Sequence, residues 1–206
     1  MAKIDLARRA EIGRERRART RAQILEAAEI LLAERPLAAV TVDSVVEAAD
    51  VAKGTFYYHF QSMEELAAAV GAKLAESFDE LLASTTRGMR DPIARLSLSF
   101  AKFLDKAIAD PAWARLVVQS SQTPAEFGTG IRAHLKADVA QAIAEGRVSI
   151  KDADLAADIV MGIWLHITRG TLERRPDATL TDQALAAMLR ALGVTQQSAA
   201  SLSAAQ

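Results

Sequence analysis

Apolar residues recur at helical spacing along most of this 206-residue chain, and proline and glycine fall almost only between the resulting segments. Alternation of apolar and polar residues, the signature of a half-buried β-strand, extends over no more than a few positions. The chain contains 43 alanines, which favour helix further. The pattern therefore predicts an all-α fold of about nine helices.

Capping residues set the limits of the predicted helices. Asp91 and Asp110 each precede a proline, which combines a carboxylate N-cap with a residue suited to the first helical position. The nine predicted segments run from Thr20 to Pro36, from Thr41 to Ala49, from Lys53 to Tyr58, from Ser62 towards Gly88, from Asp91, from Asp110, from Pro124 to Gly146, from Asp152 or Asp154 to Pro176, and from Thr181 to Leu192.

Charge is balanced over the whole chain but not along it. The 25 Lys and Arg residues face 26 Asp and Glu residues, so the molecule as a whole presents no field that attracts polyanions. Residues 1–21, in contrast, contain eight basic and three acidic residues. An arginine-rich segment of this kind suits DNA phosphates or a narrow minor groove, and the alternative is a solvated tail that aids solubility.

Several classes of protein have little support in the sequence. The absence of cysteine excludes a disulfide scaffold and cysteine-ligated metal sites, and the histidines lack the spacing of metal ligands. No nucleophile or phosphate-loop motif is present, so we expect no enzyme activity, no cofactor and no metal. The first twenty residues lack an apolar signal segment, and the longest strongly apolar run is too short to span a membrane, which predicts a cytoplasmic protein.

Residues 41–60 carry the strongest motif, TVDSVVEAADVAKGTFYYHF. A short helix, a tight turn and a second short helix are the layout of a helix-turn-helix, whose second helix enters the major groove of DNA. Six apolar residues can form a small core behind it: Val42, Val45, Val46, Val51, Phe56 and Phe60.

Polar side chains of the same motif then point outward. Lys53, Thr55, Tyr57, Tyr58 and His59 carry donors suited to phosphate oxygens, and Gly54 permits close approach of the backbone to the duplex. The alternative is a helical hairpin in a larger bundle, with the two tyrosines serving as amphipathic packing.

The stretch KGTFYYHF, followed by the EEL of residues 64–66, resembles the TetR family of bacterial transcriptional repressors. The upstream ILEAAEILLAE and TVDSVVEAADV are similar to that family too, so the specific likeness covers about residues 20–66. The resemblance implies a repressor that binds double-stranded DNA. The residues that it assigns to DNA contact, together with arginines of the basic segment, are Arg17, Arg19, Arg21, Thr41, Lys53, Gly54, Thr55, Tyr57, Tyr58 and His59.

Three positions depart from the family pattern. Asp50 stands where a glycine is usual in the turn, and Ala52 replaces a serine cap and cannot accept a hydrogen bond from the helix N-terminus. Met63 stands where a phosphate-binding lysine is common. Ala52 and Met63 lend some support to the alternative of a helical small-molecule binder or scaffold with weak or no DNA affinity.

The resemblance also implies an organisation for the rest of the chain. We expect a basic N-terminal arm over 1–18, a helix-turn-helix domain over 19–61, an effector-binding and dimerisation domain over 62–194, and a disordered tail over 195–206. A two-fold dimer would read a near-palindromic operator and release it on binding a small-molecule effector of apolar or aromatic character.

Two further sets of residues follow from that organisation. Candidates for the effector pocket are Phe78, Phe100, Phe103, Trp113, Phe127, Met161 and Trp164, although aromatic residues at helical spacing are more often plain core. The resemblance also implies a dimer interface formed by the last two helices. Its candidates on the eighth helix are Ile159, Ile163 and Ile167, because that helix has a wider apolar arc than one core requires. The candidates on the apolar stripe of the ninth helix are Leu185, Met188 and Leu189.

Overall fold

The structure of the chain, a computed structural model, describes residues 2–121 and 129–194. Within that part the fold is all-helical, with nine α-helices and a short 3₁₀ turn at Leu37–Ala39, as the helical spacing predicts. The helices are α1 (Ala2–Glu34), α2 (Val42–Ala48), α3 (Lys53–His59), α4 (Met63–Thr85), α5 (Pro92–Ala109), α6 (Pro111–Ser120), α7 (Thr129–Ala144), α8 (Ala153–Glu173) and α9 (Leu180–Ala191).

The predicted caps are confirmed where two helices begin with proline. The Asp91 carboxylate accepts hydrogen bonds from the backbone of Ile93 and Ala94, and Asp110 accepts one from Trp113. Asp152, one of the two residues proposed to start α8, is its N-cap. The predicted start of α7 at Pro124, the candidate Phe127 and the tail over 195–206 lie outside the described residues.

The first helix begins much earlier than predicted. It starts at Ala2 rather than Thr20, so the basic segment is a continuous part of α1 in this structure. The segment is rich in alanine and arginine, both good helix formers, but it lacks the apolar spacing on which the prediction was based.

The chain divides into two compact units, one up to Val70 and one from Gly71 onward. The division falls inside α4, later than the expected limit between residues 61 and 62. Leu66, Ala67 and Val70 on the first turns of α4 are buried within the first unit.

In the first unit, α1 packs on α2 and α2 on α3. Its core contains side chains from all three helices and from the start of α4, and the two largest are the aromatic rings of Phe56 and Phe60. The second unit packs α5, α7 and α8 around a single core, with α6 against α8 and α9 against α5 and α8. Trp164 of α8 lies fully buried inside it, and its indole N–H donates to the Phe100 carbonyl over 3.1 Å.

Candidate nucleic-acid interface

The second short helix, α3, buries one face and exposes the other. Phe56 is completely buried, and it packs against Phe60 and, edge to face, against Tyr57. Val45 is buried as predicted, whereas Val42, Val46 and Val51 are only half-buried. A seven-residue helix is thus held by one central aromatic side chain, and its remaining side chains stay accessible.

The outward face of α3 carries the side chains that the sequence assigned to DNA. Tyr57 is 52% exposed and Tyr58 is 68% exposed, which are unusual values for aromatic side chains. Lys53 and Gly54 are exposed too, and a Cβ placed on Gly54 would meet no atom within 4 Å. Because both tyrosines are more than half exposed within the first unit, their positions there do not favour the packing role that the hairpin alternative gives them.

The turn before α3 is closed by the backbone rather than by side chains. Val51 N–H donates to the Val46 carbonyl over 3.0 Å, and Asp50 N–H donates to that of Glu47 over 3.2 Å, which is the Schellman arrangement. Asp50 has a φ of 51°, in the left-handed region that glycine usually occupies. Asp50 therefore fills the conformational role of the glycine that is usual at this position.

The N-termini of the two short helices are capped differently. Thr41 and Ser44 form a capping box on α2, in which the Thr41 side chain accepts from Ser44 N–H over 3.2 Å. Ala52 caps α3 without a side-chain hydrogen bond, as its methyl group requires. Met63 is half-buried at the start of α4, where Ser62 accepts from Glu65 N–H.

The basic half of α1 shares a cleft with α3. This cleft, of about 350 Å³, is lined by Arg16, Arg17, Thr20, Gly54, Thr55, Tyr58 and His59. Two arginines, two hydroxyl-bearing threonines, a phenol and an imidazole on one concave surface are groups that suit phosphate oxygens. The sequence placed Arg16 in the basic segment but not among the contact residues, because the length of α1 was not foreseen.

Arginines near the cleft act on His59. Burial lowers the pKa of His59, and the positive charges of Arg21 and Arg17 lower it further. The Arg21 guanidinium lies 4.8 Å from the centre of the Phe60 ring, so this arginine packs on the core of its own unit. Arg17 and Arg19 are exposed.

Lys53 is paired within the protein. Its ammonium lies 2.7 Å from a carboxylate oxygen of Asp43 on α2, and both side chains are more than half exposed. The hydrogen bond and the charge of Asp43 raise the pKa of Lys53. No local pattern in the sequence indicates this pair, because ten positions separate the two residues on different helices.

The candidate effector residues form a connected aromatic group in the second unit. Phe103 stacks on Trp164 with ring centres 4.5 Å apart, and it contacts Phe78 and Trp113 edge to face. Phe100 stacks on the same tryptophan. Met161 is half-buried and packs against this core. The structure thus brings five of the seven candidates into one ring-to-ring network, and Met161 packs against the larger core that contains four of these rings.

Five of the six candidate dimer residues retain exposed surface. Ile159, Ile163 and Ile167 are half-buried along α8, and Leu185 and Leu189 are half-buried on α9. Met188 is completely buried in the core of its own unit, which removes it from any contact with a second subunit. On α9 the fully covered face is Ala184, Met188 and Leu192, with Leu185 and Leu189 beside it.

Among the helices of residues 2–121 and 129–194, none has an apolar stretch that could span a lipid bilayer. Within the same ranges, no cluster of three or more histidine, aspartate or glutamate side chains is arranged to hold a metal ion.

Comparison with known families matches both parts of the chain. Residues 24–70 match the profile described as bacterial regulatory proteins of the tetR family, and residues 91–204 match the tetracyclin repressor-like C-terminal domain.

Individual relatives and solved structures are similar over different lengths. The regulator TtgR of Pseudomonas putida is 33% identical over 98 residues, so the match spans 47% of each chain. The repressor KstR of Mycobacterium tuberculosis is 26% identical over 96% of this chain and 91% of its own length. The crystal structure of RolR with resorcinol has a TM-score of 0.72 and 26% identity over 88% of this chain and 91% of RolR.

Proposed function

The chain belongs to the TetR family of bacterial regulatory proteins, and from that membership we propose that it is a ligand-responsive transcriptional repressor. In this proposal a homodimer binds a near-palindromic DNA operator in the cytoplasm and leaves it when a small-molecule effector binds. One observation carries the proposal: α3 exposes Tyr57 and Tyr58 beside a cleft lined by arginines of α1.

DNA binding would use two surfaces of the first unit. The exposed face of α3 enters the major groove, where Thr55, Tyr57 and Tyr58 reach base edges and sugar-phosphate oxygens. The cleft lined by Arg16, Arg17 and His59 holds a backbone phosphate. Thr41 at the start of α2 contacts the backbone as well, because its hydroxyl hydrogen stays available while its oxygen caps the helix. Arg19 and Arg21 extend the positive surface along α1.

Dimerisation would use the half-buried surfaces of α8 and α9. Ile159, Ile163 and Ile167 lie at intervals of four along α8, and Leu185 and Leu189 repeat this spacing on α9. A two-fold interface presents two copies of α3, so the operator has two half-sites whose spacing follows the helical repeat of DNA.

The effector would be a small aromatic or largely apolar molecule. It would lie among the rings of Phe78, Phe100, Phe103, Trp113 and Trp164, with Met161 at the edge of that group. Support comes from RolR, whose crystal structure contains the aromatic ligand resorcinol. Binding would release DNA by favouring a dimer in which the two reading helices no longer match successive grooves.

The test of DNA recognition is a selection of genomic fragments by the purified protein. Under the proposal, the recovered fragments share a near-palindrome, and their affinity falls steeply with salt because phosphate contacts release counterions. Recovery of no common sequence, with no salt-dependent binding, would instead indicate the small-molecule binder without DNA affinity.

The effector mechanism requires a separate test on the recovered operator. Small aromatic compounds are screened for binding by thermal shift, and each compound that binds is titrated into the protein–operator complex. A bound effector must lower operator affinity. A compound that binds tightly and leaves operator affinity unchanged would contradict the proposed release.

A further inference from the structure

Lys53, a candidate phosphate contact, is already neutralised by a carboxylate of its own chain. Its ammonium lies 2.7 Å from Asp43, and the exposed fractions of the two side chains are 53% and 74%. The pair lies on the surface that the proposed function assigns to DNA, next to the open position of Gly54. A duplex phosphate that approached Lys53 would meet the Asp43 carboxylate at the same place.

We propose that Asp43 competes with DNA phosphate for Lys53 and thereby limits the affinity of the protein for any duplex. This inference rests on the proposed function, since it concerns the same surface. Lys53 can adopt one of two arrangements when DNA binds. Either it leaves Asp43, whose charge then lies unpaired near the phosphates, or it stays paired and contributes no net charge.

Both arrangements reduce the net positive charge that the protein brings to the phosphates, by about one. The reduction applies to operator and random DNA alike, because phosphates carry no sequence information. Asp43 thus tunes how strongly the protein holds DNA without changing which sequence it prefers.

A structural role for Asp43 is limited to the favourable charge of a carboxylate in the first turn of α2. Exposed ion pairs contribute little to folding, because water screens the charges and both side chains lose freedom. The N-terminus of α2 is capped by Thr41 and Ser44, which bond to each other without Asp43. The helix should therefore keep its cap when this carboxylate is removed.

The experiment compares Asp43→Asn with Glu47→Gln, which removes an exposed carboxylate from the same helix but not the one paired with Lys53. Affinity for the selected operator and for a random duplex of equal length is measured by fluorescence anisotropy over a range of salt concentrations. We expect Asp43→Asn to raise both affinities about threefold to fivefold. This factor corresponds to the free energy of a strong exposed ion pair.

Two further readouts separate competition for Lys53 from other effects. The plot of log affinity against log salt concentration should steepen by about 0.9 for Asp43→Asn. In a Lys53→Met background, Asp43→Asn should lose most of its effect, because the competed cation is gone. Thermal unfolding of each variant verifies that the fold is retained.

The possible results distinguish the inference from the proposed function. If the wild-type protein binds no duplex at low salt, the proposed function fails and the inference falls with it. If the wild-type protein binds DNA but Asp43→Asn matches Glu47→Gln in affinity and salt slope, only the inference is overturned. An equal gain with and without Lys53 would also overturn it, since Asp43 would then act on DNA directly.

Discussion

The turn of the helix-turn-helix depends on the backbone of a single residue. Asp50 adopts a φ of 51°, and its position lets Val51 N–H close the end of α2 on the Val46 carbonyl. A side chain at positive φ costs free energy that glycine does not, although aspartate tolerates this region better than most residues. The residue is therefore compatible with the motif but not optimal for it.

We predict that Asp50→Gly raises the free energy of unfolding by about 0.5 to 1 kcal/mol, since relief of steric strain outweighs the added freedom of the unfolded chain. Ala48→Gly serves as the control in the last turn of α2, where φ is not positive and glycine should cost up to about 1 kcal/mol. Chemical denaturation measures both variants. A loss of stability in Asp50→Gly similar to that of the control would contradict the strained turn.

His59 should make the operator affinity of the proposed complex depend on pH. Burial, with Arg21 and Arg17 nearby, lowers its pKa, so the free protein keeps the imidazole neutral at pH 7. A phosphate in the cleft would favour the protonated ring and raise that pKa, so binding takes up a proton. Operator affinity should therefore increase as pH falls through and below about 6.5.

The measurement for His59 is operator affinity between about pH 7.5 and 5.5 for the wild type and His59→Gln. His59→Gln should lack the part of the increase in operator affinity that comes from protonation of His59. Identical pH profiles for the two proteins would show that His59 does not meet a phosphate.

At the scale of whole helices, the capping residues were easier to predict than the length of a helix or the side on which it packs. The aspartate–proline pairs located α5 and α6 because a capping carboxylate acts over three residues. The extent of α1 was missed because alanine and arginine form helix without any apolar pattern. On α9, spacing identified the apolar stripe, but only packing decided that Met188 faces its own core while Leu185 and Leu189 keep exposed surface.

The same reasoning applies to the candidate interface. The exposure of Tyr57 and Tyr58 followed from the helix-turn-helix pattern, since the phenylalanines beside them account for the buried face. The cleft with Arg16 and the Lys53–Asp43 pair could not be predicted. Both depend on the approach of side chains from different helices, and no local spacing encodes that approach.

The arginines of α1 yield a prediction for an element as a whole. Replacing Arg16 and Arg17 together with glutamine should weaken binding to operator and random DNA and reduce the salt slope by about 0.9, because the phosphate proposed to lie in the cleft is no longer neutralised. The control replaces Arg8 and Arg14, which are exposed on the same helix and do not line the cleft. Equal effects of the two pairs would mean that α1 contributes only general charge.

For the whole molecule, the proposed function requires a symmetric dimer that presents two copies of α3. Ile163→Glu on α8 places a carboxylate at the proposed interface, where two-fold symmetry brings the same face of both subunits together. We expect a monomer by analytical ultracentrifugation, and loss of operator binding with folding retained. Lys102→Glu, exposed on α5, is the control and should remain dimeric. A dimeric Ile163→Glu protein with full affinity would place the interface elsewhere.

The claim that the exposed face of α3 reads DNA is tested most directly by truncating its most exposed aromatic side chain. Tyr58→Ala is compared with Ile30→Ala, which removes an exposed apolar side chain from α1 outside the cleft. Affinity for the selected operator is measured by fluorescence anisotropy, and thermal unfolding is followed in parallel. The account predicts that Tyr58→Ala loses at least about tenfold in operator affinity, equivalent to about 1.4 kcal/mol, with unchanged unfolding, while Ile30→Ala binds normally. Wild-type operator affinity in Tyr58→Ala would contradict it.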